Sequence, residues 1–81
     1  VDYSKLRSIT ARELAAALLR DGFVLKTQRG SHQRYAHSDG RRVTLPYHAP
    51  GGTFVPKTLR SMLEEQARWT ERDLVRLSLL K

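Results

Sequence analysis

Apolar and polar positions follow two different rhythms along this chain, and each rhythm marks a kind of element. After Ile9 the apolar residues Leu14, Leu18 and Leu19 fall at the spacing of one helical face. Thr10 stands where an N-cap belongs, Glu13 can reach back to complete a capping box, and Ile9 can staple onto Leu14. Gly22 suits the position just past a helix end, where the backbone turns left-handed. The pattern predicts a helix from about Ala11 to Asp21.

The rhythm then shortens to two. Phe23 to Gln28, Ser31 to His37 and Arg42 to Tyr47 read as three strands, separated by turn signals at Arg29-Gly30 and Ser38-Asp39-Gly40. In the third, Val43, Leu45 and Tyr47 alternate with Arg42, Thr44 and Pro46, as a strand does with one face on a core and one toward water, and Pro46 should end its pairing. In the second strand Tyr35 is the core candidate and carries Gln33 and His37 to its own face. His32, Arg34 and Ala36 then share the open face.

A short loop, Ala49 to Thr53, leads to Pro56, a residue suited to the first turn of a helix. Leu59, Met62, Leu63, Gln66 and Ala67 keep helical spacing, which predicts a second long helix over about Pro56 to Arg68. Thr70 and Asp73 form a weaker cap signal for a short terminal helix lined by Leu74, Leu77 and Leu80, with Trp69 packed at the junction. The expected class is α+β, a single domain over residues 1–81. It is a three-stranded antiparallel sheet with two helices on one face and a short C-terminal helix. Its core is expected to hold Leu14, Leu18, Phe23, Leu25, Tyr35, Val43, Leu45, Leu59, Met62 and Leu63.

Charge changes this picture from a small fold to a binding surface. Fifteen Lys and Arg against eight Asp and Glu give a net charge of +7. From Gly22 to Leu63 the basic residues are Lys26, Arg29, Arg34, Arg41, Arg42, Lys57 and Arg60, against the single acid Asp39. Net positive charge can simply keep a small protein soluble, but its concentration in one segment points to a polyanionic partner or an acidic protein surface. The chain has no cysteine, so disulfides and thiolate metal sites are excluded. The apolar run Leu14 to Leu19 is too short for a membrane span, and a soluble cytoplasmic protein is expected.

Within the basic segment, Gly30-Ser31-His32 sits between Arg29 and Arg34. Histidine can give and take protons near neutrality, and surrounding cations can hold a phosphodiester. RNA supplies its own nucleophile, the 2′-hydroxyl, so a histidine and cations can suffice for cleavage. His32 is the candidate general base or acid, although such a residue can also merely end a turn. Arg29 and Arg34, with Lys26 or Arg42, are candidates for holding phosphate oxygens, and Gly30 and Ser31 complete the expected RNA-binding set. His48, at a strand end, is more readily a surface residue than a second proton-transfer group, and His37 belongs to the other face. Asp39 alone cannot supply the clustered carboxylates of a metal-dependent nuclease, and the three histidines lack ligand-like spacing. No metal and no cofactor are expected.

Three motifs in order, Gly30-Ser31-His32-Gln33-Arg34-Tyr35, then Val43-Thr44-Leu45-Pro46-Tyr47-His48, then Pro56-Lys57-Thr58-Leu59-Arg60-Ser61-Met62-Leu63, resemble the HicA toxin family. The resemblance covers roughly Ile9 to Ala67. It implies a fold similar to double-stranded-RNA-binding domains, an mRNA-cleaving activity, and neutralisation by a HicB-type antitoxin in an oligomeric complex. The family's catalytic histidine falls on His32. Gln33 departs from the bulkier residue expected there, and Trp69 to Lys81 lies outside the strongest part of the match. A non-catalytic double-stranded-RNA-binding module and a basic protein-interaction domain remain as alternatives.

Overall fold

A computed structural model describes residues 3–6 and 8–80. A 3₁₀ turn, Tyr3–Leu6, precedes α1 (Ala11–Arg20), β1 (Val24–Arg29), β2 (His32–Ala36), β3 (Arg42–Pro46), α2 (Pro56–Arg60) and α3 (Glu71–Arg76). The strands form one antiparallel sheet in the order β1-β2-β3. The expected α+β architecture is the one observed.

Local chemistry sets the element ends. The Thr10 hydroxyl accepts from the Glu13 amide while the Glu13 carboxylate accepts from the Thr10 amide, the expected capping box. Gly22 has φ +100°, and a Cβ there would lie 3.0 Å from the His37 ring, so both conformation and space demand glycine. Thr70 and Asp73 build a second capping box at the start of α3.

One face of the sheet is sealed and the other is open. Tyr35, Val43 and Leu45 are buried against the helices, in a single cluster with Leu14, Leu18, Phe23, Leu59, Met62, Leu63, Trp69 and Leu74. His32, Arg34, Arg42 and Thr44 point to the opposite side and are exposed. Leu25 does not join the core. It shares a face with its partner Tyr35 but remains 41 % exposed, because β1 is the outer strand and all six of its residues lie beyond the cover of the helices. Leu19 is likewise exposed, off the buried stripe of α1, and Leu79 is more deeply buried than Leu80 at the terminus.

The second long helix is not regular. After Arg60 it widens into a π-helical segment, Ser61–Gln66, in which the Ala67 amide donates to the Met62 carbonyl five residues back. Arg68 then takes φ +56° and ends it. The widened turn brings the Gln66 side chain to the outer edge of β3, where its carbonyl accepts the Thr44 amide at 2.8 Å. A side chain thus occupies an edge position that a further strand would otherwise fill.

Asp21, just past α1, ties three separate segments together. Its carboxylate accepts from Trp69 Nε1 at 2.8 Å and from Arg76 at 2.8 Å, and lies 3.2 Å from the Arg41 guanidinium. Burial pushes the Asp21 carboxyl up, but these donors and charges outweigh it and hold the group below the usual carboxylate range. A folded-state value below the unfolded value near 3.9 means that the stabilisation is present above about pH 4 and is lost as pH falls through the folded value. Asp21→Asn keeps an acceptor but removes the charge. It is expected to cost about 1.5–3 kcal/mol at pH 7, the worth of charged hydrogen bonds, and less at pH 3. Thermal melts of both proteins at the two pH values test this; an equal gap at both would show that the charge is not what matters.

Candidate nucleic-acid interface

His32 owes its position to the turn before it. Arg29 and His32 face each other across the β1-β2 hairpin, leaving Gly30 and Ser31 as a two-residue loop. Gly30 has φ +56° and Ser31 does not share the positive range, the combination that tight hairpins take with glycine first. The Ser31 carbonyl accepts the Tyr47 amide, so this corner is also fastened to the end of β3. Pairing therefore runs one residue beyond Pro46. His32 faces Arg29 on one side and Pro46 on the other, at cross-strand spacing of about 4.5–5.5 Å between Cβ atoms.

Lys26 is the extra residue of a β-bulge. Leu25 pairs with Tyr35 and Thr27 with Arg34, so Lys26 has no partner on β2. It joins Thr27, Arg34, Ala36, Arg42 and Thr44 around a groove of 460 Å³ on the open face. Arg34 faces Thr44 and Ala36 faces Arg42, which sets Lys26, Arg34 and Arg42 on three adjacent strands. Of the expected phosphate-holding set, these three line one groove, while Arg29 lies beside His32.

A second hollow of 360 Å³ holds His32 itself, with Thr44, Pro46, Lys57, Thr58, Ser61, Met62 and Gln66. Thr44 belongs to both depressions, so the basic groove and the histidine hollow adjoin. Lys57 and Ser61 were not among the expected site residues. They arrive because the π-helical segment that continues α2 docks along β3, fastened by the bond from Thr44 to Gln66. The only local hint was Lys57 following the helix-starting Pro56.

The remaining charges divide clearly. Arg41 donates to Asp39 and to the Ala67 carbonyl at 2.6 Å, contacts Asp21, and stacks 4.9 Å from the centre of the Phe23 ring. It is a structural cation. Arg60 pairs with Glu64 along its helix. Lys26, Arg29, Arg34, Arg42 and Lys57 have no carboxylate within ion-pair distance among the described residues.

His37 is structural too. Its Nε2 lies 2.8 Å from the Asp21 carbonyl, its Nδ1 accepts the Asp39 amide, and its ring packs edge-on against Phe23 at 5.0 Å. Asp39 also accepts the Arg41 amide and so fixes its turn, as expected. His48 is exposed and lines a different hollow. Among the described residues no three of His, Asp and Glu gather closely enough to hold a metal ion.

The model of the HicA toxin of bacterial toxin–antitoxin matches residues 11–69, from the first residue of α1 to Trp69. The chain belongs to the HicA toxin family. It is therefore the toxin of a toxin–antitoxin pairing. No curated relative matches it. In this HicA toxin the match ends where α3 begins, and the Asp21 contacts to Trp69 and Arg76 carry the terminal helix back onto the matched region. Among the described residues, no helix is long and apolar enough to cross a membrane.

Proposed function

We propose that this HicA toxin is an endoribonuclease that cleaves mRNA in the cytoplasm, without a metal, using His32 as a proton-transfer group. The observation that carries the reading is the adjoining of two depressions: one presents His32, and the other lines up the three cations Lys26, Arg34 and Arg42. Residues 1–81 act in this reading as one domain.

The chemistry needs little else. A group accepts the 2′-hydroxyl proton, the oxygen attacks the adjacent phosphorus, and the bond to the 5′-oxygen breaks as that oxygen takes a proton. The products are a 2′,3′-cyclic phosphate and a 5′-hydroxyl. His32 stands on the surface where a phosphodiester could reach it, with Arg29 beside it and Lys57 lining the same hollow. Cations so placed stabilise charge developing on the phosphorane. Lys26, Arg34 and Arg42 would hold neighbouring phosphates along the groove, and the exposed Gly30 would let a strand approach the hairpin closely.

A HicB-type antitoxin would silence the toxin by covering the same surface, and an acidic face on it would match the five cations Lys26, Arg29, Arg34, Arg42 and Lys57. In the oligomeric complex His32 is then buried or blocked.

Incubation of a defined RNA with purified toxin in EDTA, followed by end-group analysis, tests the reaction. Cyclic phosphate ends are expected, and strict dependence on added magnesium would overturn the mechanism. Arg34→Ala separates phosphate binding from chemistry. It is expected to weaken RNA affinity and to reduce the salt dependence of binding by about one phosphate contact, a slope change of roughly 0.7 for a single strand. An unchanged slope in a salt titration would remove Arg34 from the phosphate path. A binding module without chemistry would show the same slope and no cleavage products.

A further inference from the structure

Beside the histidine hollow lies a third depression that the proposed reaction leaves unused. It is lined by Pro46, His48, Thr53, Phe54, Val55 and Thr58, with the start of α1 at its floor. Pro46 and Thr58 also line the hollow that holds His32, so the two share a wall.

Its lining is unlike that of the basic groove. Lys26, Arg34 and Arg42 make that groove a place for phosphate; here there is no lysine or arginine among the lining residues. Instead there are an aromatic ring, an imidazole, the apolar surfaces of Pro46 and Val55, and the hydroxyls of Thr53 and Thr58. Val55 is 64 % exposed and Phe54 is only partly buried, so apolar surface faces outward at this place. Planar heterocycles with polar edges suit such a lining, because every base has a face that stacks and edges that accept or donate hydrogen bonds.

Size narrows the occupant further. The depression measures 180 Å³, whereas pockets for whole cofactor-sized ligands run to roughly 300–1,000 Å³. One base fits that scale and a complete nucleotide cofactor does not.

We propose that this depression is a base-binding subsite, in which one RNA base adjoining the phosphate at His32 packs against Phe54 and His48. The proposal rests on the reading of His32 and its neighbours as the RNA site. It makes His48 a specificity residue, not a second proton-transfer group. RNA would then be gripped by phosphate along the open face and by one base at the corner beyond Pro46.

Affinity for uncleavable RNA tests the subsite separately from the chemistry. The probe is a short single-stranded 2′-O-methyl RNA, intact or carrying one abasic unit placed at each position in turn, titrated against wild type, Phe54→Ala and His48→Ala. One position is expected at which loss of the base weakens wild-type binding by roughly 5- to 150-fold, the range for a stacked base. At that position the variants should lose much less, since the base's partner is already gone. Phe54 touches the core, so its variant could fold poorly; His48 is exposed and its variant keeps the test decisive. The proposal fails if the probe does not bind, or if each abasic loss is the same in wild type and His48→Ala. Cleavage of unmodified RNA by wild type and by a His32 variant reports on the nuclease reading alone. Cleavage by His32 with additive abasic losses would discard the subsite and keep the enzyme.

Discussion

His32→Ala is expected to fold like the parent, to keep most of its RNA affinity, and to lose cleavage by at least about 10²- to 10⁴-fold, the usual contribution of a positioned proton-transfer group. The side chain lies on the exposed face of β2, at the first residue of the strand, and the core does not include it. Its removal leaves no cavity. The cations that hold phosphate are other residues, so binding and chemistry should separate in this one variant. Three measurements decide the matter: a melting curve, an anisotropy titration with RNA, and the rate of product formation. Full activity in a well-folded His32→Ala protein would overturn the assignment. Loss of binding together with activity would instead make His32 a binding residue. Growth arrest on expression should follow the cleavage rate and vanish with it.

That separation depends on which features a linear pattern can reveal. Pairing in a hairpin is local, so the alternation around Tyr35 was enough to place His32 and Arg34 on the open face and His37 on the other, and the structure agrees. Capping is local as well, which is why Thr10 with Glu13 and Thr70 with Asp73 mark the starts of α1 and α3 correctly. Nine of the ten expected core residues are buried for the same reason.

The failures all concern which element covers which. Leu25 obeys the strand alternation, yet nothing in the pattern says that β1 is the outer strand and runs past the helices. Lys57 and Ser61 carry no signal linking them to a histidine 25 or more residues earlier; only the helix lying along β3 makes them neighbours. The π-helical widening is invisible to apolar spacing because Met62, Leu63 and Ala67 are buried with or without it. Arg41 adds to the net charge of the basic segment, although the expected phosphate-holding set does not include it. Its guanidinium serves the fold, held by Asp21 and Asp39, while Arg42 lines the groove.

The contrast between Leu18 and Leu25 makes this difference measurable in stability. Leu18 has no exposed surface, within the cluster that also holds Tyr35 and Leu45. Leu18→Ala is therefore expected to cost about 2–5 kcal/mol, through lost transfer energy and the cavity left behind. At roughly 0.05–0.15 kcal/mol per residue, an 81-residue chain has on the order of 4–12 kcal/mol in all, so the variant forfeits a large share of it. Leu25 is an equally apolar residue in a predicted strand, but water already reaches 41 % of its surface. Its partner strand can lose it without opening a void, and Leu25→Ala should cost about 1 kcal/mol or less. Urea titrations of both variants give the comparison, with unchanged slopes showing that the midpoint shift reports stability. Equal losses would mean that the helices cover β1 after all, and would move the boundary between the sealed face and the outer strand. A Leu18→Ala protein as stable as its parent would instead mean that α1 does not seal the sheet, and with it would go the division into a core face and an open face on which the placement of His32 depends.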